Sequence, residues 1–188
     1  MQNTFRGLGK TIQTIALIWT LLREHLFCLG YLYPHRITGQ SPYFGDGTAL
    51  QRVLVVCPVT LVKVRSQPLQ PSLGSQDLQN WAKEFKKWLG SDRLRVFVVD
   101  GKTDVKSFCA SKTFEVLIIG YERLRTVVED IKKAQPSVGL VVCDEGHRLK
   151  TAGNKTTQAL NVFNSPRRII LSGTPIQVCC FNCISLAS

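Results

Sequence analysis

The chain has 188 residues, 44% hydrophobic and 20% charged, with a formal net charge of +11 and an isoelectric point near 9.6. That length gives room for one domain with a full core. Its longest apolar runs, "TIALIWTLL" and "VLVVCPVTLV", are too short to span a bilayer, and the first residues lack a signal-peptide pattern, so no membrane partner is expected.

In chain order, Lys10 to Arg23 reads as a helix, and Glu24 to Leu50 as a long surface excursion, because its aromatics, Gly and Pro follow no period. Arg52 to Val62 reads as a buried strand. Val64 to Gln79 is rich in Ser, Gln and Pro and reads as a flexible, disordered insert. Helices then alternate with strands. Leu78 to Leu89, Asp104 to Ser111, Glu122 to Ala134 and Lys155 to Phe163 are the helices. Leu94 to Gly101, Phe114 to Tyr121, Val138 to Glu145 and Arg167 to Thr174 are the strands. The strands are Val, Ile and Leu runs without polar alternation, as in a parallel sheet covered on both faces. The fold class expected is α/β, a parallel sheet flanked by helices. There is no internal repeat, and Val178 to Ser188 reads as an unstructured tail.

Seven cysteines raise the question of disulfides, but Cys57 and Cys143 sit inside apolar runs, where a reduced thiol packs as a small hydrophobe. Cys180 and Cys183 form a C-x-x-C with no second ligand pair of suitable spacing nearby. The positive charge leaves two readings open. It is either an ordinary lysine-rich surface or the mark of a polyanion partner whose phosphates Lys and Arg would neutralise.

Three short motifs carry chemistry. In Gly7-Leu8-Gly9-Lys10-Thr11, glycines let backbone N–H groups approach phosphate oxygens at the positive end of the following helix. Lys10 would reach the β- and γ-phosphates of ATP, and Thr11 would place its hydroxyl on magnesium. The full loop pattern asks for Gly where this chain has Thr4. "LVVCDEGH" puts Asp144 and Glu145 at the end of an apolar strand. Asp144 would hold magnesium, and Glu145 would orient and deprotonate an attacking water. "LSGTP" ends another strand, and its small hydroxyl residues suit contact with the Asp-Glu-Gly-His segment. Read alone it is a plain turn. The coupling set is His147, Ser172, Gly173 and Thr174.

Together, GLGKT, DEGH and SGTP in this order resemble motifs I, II and III of superfamily-two helicases. "NWAKEFKKWLG", "VLIIGYERLR", "VVCDEGHRLK" and "RRIILSGTPIQ" sharpen the resemblance to Swi/Snf-type DNA translocases of the Rad54 recombination-repair branch, its B-type members or their fungal counterparts. The resemblance implies a RecA-like first helicase lobe, a P-loop NTPase, over residues 1–177, with ATP and magnesium as cofactors. It implies a double-stranded DNA backbone as partner, a recombinase filament and chromatin as further partners, and the nucleus as location. Cys57, Pro58 and Thr60 match motif Ia, and Gly120 and Tyr121 match motif Ib; these positions hold the DNA backbone in the family.

The chain departs from the family pattern at Asn3 to Arg6, in the 64–79 insert and beyond Gln177. Incompleteness at both ends and a missing second RecA-like lobe, with its arginine finger, are therefore expected. So are weak nucleotide binding and negligible turnover. The rival readings are a chromatin-remodelling lobe of another Swi/Snf branch and a non-catalytic module that binds DNA or protein.

Overall fold

The Val/Ile/Leu runs assemble into one parallel sheet in the computed structural model, which describes residues 8–28, 50–59, 76–100, 103–149, 155–163, 165, 167–172 and 184–187. The elements are α1 (Leu8–Cys28), β1 (Arg52–Cys57), α2 (Gln76–Leu89), β2 (Val96–Val99), α3 (Val105–Ala110) and β3 (Val116–Gly120). They continue with α4 (Tyr121–Lys133), β4 (Val138–Cys143), a 3-10 turn (Gly146–Leu149), α5 (Lys155–Asn161), β5 (Arg167–Ser172) and β6 (Ile184–Ala187).

Among the described residues the strand order is β2-β3-β1-β4-β5-β6, every pair parallel. Every residue of β1 and β3 is buried, which explains why neither shows polar alternation. Successive side chains still alternate between two layers. Leu54 and Val56 of β1 pack with α3, α4 and α5, through Phe108, Leu124 and Leu160. Val53, Val55 and Cys57 pack with α1 and α2, through Ile15, Ile18, Trp81 and Phe85.

Each long helix buries a stripe set by its sequence. On α4, Leu124, Val127, Val128 and Ile131 share one face, while Glu122 in the first turn and Lys132 and Lys133 in the last complement the helix dipole. On α2 the buried stripe is Leu78, Trp81 and Phe85, with Lys83, Lys86 and Lys87 exposed. Asp104 caps α3, its side chain accepting from the Lys106 amide at 3.0 Å.

The α/β parallel architecture matches the expectation, with three corrections. Helix α1 continues through Cys28, so 24–28 belong to it and not to the expected excursion; 29–49 lie outside the described residues. Helix α2 begins at Gln76, inside the expected 64–79 insert, because Asp77 suits its first turn and Leu78 enters the core; 64–75 lie outside the described residues. The tail is not wholly unstructured. Ile184–Ala187 pairs with β5 in the register Ile169↔Ile184 to Ser172↔Ala187, satisfying backbone groups along the edge β5 presents. The Cys180/Cys183 pair lies outside the described residues. No helix among them is long and apolar enough to cross a membrane.

Candidate nucleotide site

Parallel strands bring their C-terminal ends to one edge of the sheet, and ligands of open α/β sheets gather there. At this edge Cys57 of β1 pairs with Gly120 of β3, Val56 with Cys143 of β4, and Cys143 with Ile170 of β5. The helix after β1 covers one face of the sheet, and the helices after β3 and β4 cover the other.

Helix α1 brings its N-terminal turn to the same edge. The Lys10 ammonium donates to the Ser172 carbonyl at 2.5 Å, joining the first turn of α1 to the last residue of β5. That turn contains no acidic residue, so the helix dipole favours an anion there. A Cβ at Gly9 would meet nothing within 4 Å, which leaves its backbone open to a ligand. Thr11 is half-buried in this turn, and Thr14 back-bonds to the Lys10 carbonyl at 2.8 Å. Leu8 opens the helix.

Asp144 follows β4 directly and is held from several directions. Its amide donates to the Val56 carbonyl at 2.8 Å, extending the β1–β4 ladder by one residue. Its carbonyl accepts from the Tyr121 hydroxyl at 2.6 Å. Its carboxylate accepts from the Trp81 indole N–H on Oδ2 and from the Glu145 amide on Oδ1, each at 2.9 Å. Burial holds this carboxyl above the usual carboxylate range; the two hydrogen bonds oppose that shift, and the charges of Glu145 and Asp77 add to it. Glu145 takes φ of +51°, the left-handed region, so the chain turns sharply after the strand. The turn packs tightly on β5: a Cβ at Gly146 would stand 2.1 Å from Ile170 Cγ2.

The sheet edge therefore gathers Gly9, Lys10, Thr11, Asp144, Glu145 and Ser172. His147 lies in the 3-10 turn after them. Gly7, Thr60, Gly173 and Thr174 fall outside the described residues.

The expected DNA contacts need correcting. Cys57 is fully buried, Pro58 and Gly120 are buried, and Tyr121 is 3% exposed with its hydroxyl spent on Asp144. Burial pushes both the Cys57 thiol and the Tyr121 phenol up in pKa. These side chains build the edge and do not face a ligand at the surface. Tyr121 opens α4 as a buried anchor, while its neighbours Arg123 and Arg125 are exposed. Sequence reasoning also missed Trp81 as part of the site. Its one signal was a Trp on the apolar stripe of an amphipathic helix, because a buried indole N–H requires an acceptor.

Comparison with known proteins follows the same lines. The family model for the SNF2-related domain matches residues 73–186. The chain is 42% identical over 171 residues to the DNA repair and recombination protein RAD54B of Gallus gallus, covering 91% of this chain and 15% of that one. It is 38% identical over 182 residues to the DNA repair protein rhp54 of Schizosaccharomyces pombe, covering 91% and 17%. The chain thus spans only 15% and 17% of the length of these relatives. Among solved structures, the Sulfolobus solfataricus SWI2/SNF2 ATPase core in complex with dsDNA superposes with a TM-score of 0.57 at 23% identity, over 90% of this chain and 26% of that one. That likeness is one of fold.

Proposed function

The chain belongs to the SNF2-related domain family, and from that premise we propose that it binds ATP and magnesium as the first RecA-like lobe of a double-stranded DNA translocase serving recombination and repair. The observation that carries this reading is the bond from Lys10, at the N-terminus of α1, to the end of β5, the strand paired with β4, after which Asp144 and Glu145 follow. An open helix N-terminus with a lysine suits the phosphates, and the Thr11 hydroxyl and Asp144 carboxylate are the hard oxygen donors magnesium takes. When bound, magnesium would neutralise charge on the phosphate oxygens. Lys10 would exchange the Ser172 carbonyl for a phosphate oxygen, and that exchange would release the end of β5, from which the chain continues into the coupling residues Gly173 and Thr174. Glu145 would orient the attacking water and take its proton.

Duplex DNA as partner is supported by the net charge of +11 and by the solved neighbour, an ATPase core held in complex with dsDNA. Action in the nucleus is supported by the repair and recombination names of the relatives, while a recombinase filament and chromatin as partners rest on the family resemblance alone. The family resemblance puts the arginine finger on a second RecA-like lobe, a contribution worth about 10³ to 10⁵ in rate. These 188 residues, which span 15% and 17% of those relatives, should therefore bind nucleotide as an isolated polypeptide and hardly turn it over.

Titration of the full chain with a fluorescent ATP analogue and magnesium tests the site. Lys10→Ala should abolish binding, and unaltered binding would overturn the reading. Phosphate release with duplex DNA should fall more than about tenfold below that of a two-lobe relative, given the rate attached to the finger; equal rates would show the second lobe to be dispensable. Duplex binding without any nucleotide binding would favour the non-catalytic alternative.

A further inference from the structure

We propose that Trp81 is a positioning residue for Asp144, and that its indole N–H ties helix α2 to the magnesium-binding carboxylate. The proposal rests on the nucleotide-site reading above and adds to it a residue that no motif assigns.

Trp81 is 5% exposed, and its ring is packed beside Leu78 and Phe85, with the Phe85 ring centroid at 6.1 Å. That packing fixes the direction of the N–H, which ends on Asp144 Oδ2 at 2.9 Å across 63 residues of chain. Trp88, on the same helix, shows the alternative. Its N–H is spent locally on Glu84, one turn away, and the side chain is 45% exposed. Trp81 instead donates to a carboxyl oxygen in a part-buried position, where such a bond is stronger than at the exposed surface.

The consequence for the site is geometric. Oδ2 takes the indole and Oδ1 takes the Glu145 amide, so the carboxylate plane is fixed at both ends. Each oxygen keeps one acceptor position for a ligand. Partners of this kind orient metal ligands, and losing one typically costs about 10- to 100-fold in metal affinity. Helix α2 is also the element that follows the loop after β1. A shift of α2 along the sheet would therefore be felt at Asp144, and metal binding at Asp144 would be felt by α2.

The test titrates magnesium into the full chain holding a fluorescent ADP analogue and compares the unsubstituted protein with Trp81→Phe and Trp88→Phe. Trp81→Phe keeps an aromatic ring and loses the donor. Binding without magnesium should be unchanged, while the magnesium midpoint should rise about tenfold; Trp88→Phe should leave it in place. A folded Trp81→Phe chain with the original midpoint overturns the positioning role. An unsubstituted chain that binds no nucleotide overturns the site reading and this proposal together. A second measurement does not depend on that variant folding. With Trp19→Phe and Trp88→Phe combined, Trp81 is the remaining indole, and its emission should shift when magnesium joins the bound nucleotide. No shift overturns the link between α2 and the metal site.

Discussion

At the residue scale, Gly146 shows how little freedom the turn after Asp144 has. Glu145 already sits at φ +51°, and the next residue has Ile170 Cγ2 only 2.1 Å from where a Cβ would stand. Ile170 Cβ and the Leu171 carbonyl lie close behind, at 3.4 and 3.6 Å, so the methyl cannot be accommodated without moving β5 or the turn. Gly146→Ala should therefore lower the free energy of unfolding by about 1–3 kcal/mol, the usual cost of overpacking. Urea denaturation measures it. Adding Ile170→Ala should recover part of the loss, making the double variant more stable than the sum of the singles by at least about 0.5 kcal/mol. Strict additivity would show that the clash is not with Ile170. The glycine was legible in "DEGH" as part of a motif. The reason for it was not, because Ile170 lies 24 positions further along the chain. Tyr121 makes the same point in the other direction. "GYERL" reads as a tyrosine at a strand end, and only the approach of β4 reveals that its hydroxyl meets the Asp144 carbonyl.

At the element scale, what could be read was what depends on neighbours in sequence. Uninterrupted Val/Ile/Leu runs gave β1, β3 and β4, and the i, i+3, i+4, i+7 spacing of Leu124, Val127, Val128 and Ile131 gave α4. Strand order is a long-range property, and no local pattern says that β1 ends up between β3 and β4. The sequence also drew the second helix short. With Asp77 in its first turn, α2 starts at Gln76, so the Ser/Gln/Pro segment to be tested is 64–75. We propose that this segment contributes nothing to the packed fold, since its composition offers little apolar surface to bury. The first half of α2 lies at the same sheet edge as the end of β1, because Trp81 reaches Asp144 there. With 64–75 removed, residues 58–63 would join β1 to α2, a connection of ordinary length. Deleting 64–75 should leave thermal stability unchanged or raise it, by at most about 1 kcal/mol from the shorter loop closure. A clear fall in melting temperature would show that the segment packs against the domain.

At the scale of the whole molecule, the question is where 24 Lys and Arg against 13 Asp and Glu act together. The buried state of Cys57, Pro58, Gly120 and Tyr121 removes their side chains from any direct grip on DNA. It leaves the cations that follow the ends of β1 and β3 in the chain. Arg123 and Arg125 are exposed on the first turns of α4, whose neighbouring Tyr121 and Leu124 are buried; Lys63 follows β1 in the chain and lies outside the described residues. Charges presented in this way would meet phosphates rather than base edges, because a point charge or an unconstrained guanidinium on a helix surface neutralises backbone without reading sequence. Binding to duplex DNA should therefore be independent of sequence and steeply dependent on salt, since each phosphate neutralised releases condensed counterions. Replacing Lys63, Arg123 and Arg125 with Ala should weaken binding to every duplex by the same factor. It should also flatten the plot of log affinity against log salt by about one unit for each phosphate no longer neutralised. Fluorescence anisotropy across a salt series, on two duplexes of unrelated sequence, measures both effects at once. A weakening confined to one duplex would point to base readout at this edge, and an unchanged slope would move the DNA surface elsewhere on the molecule.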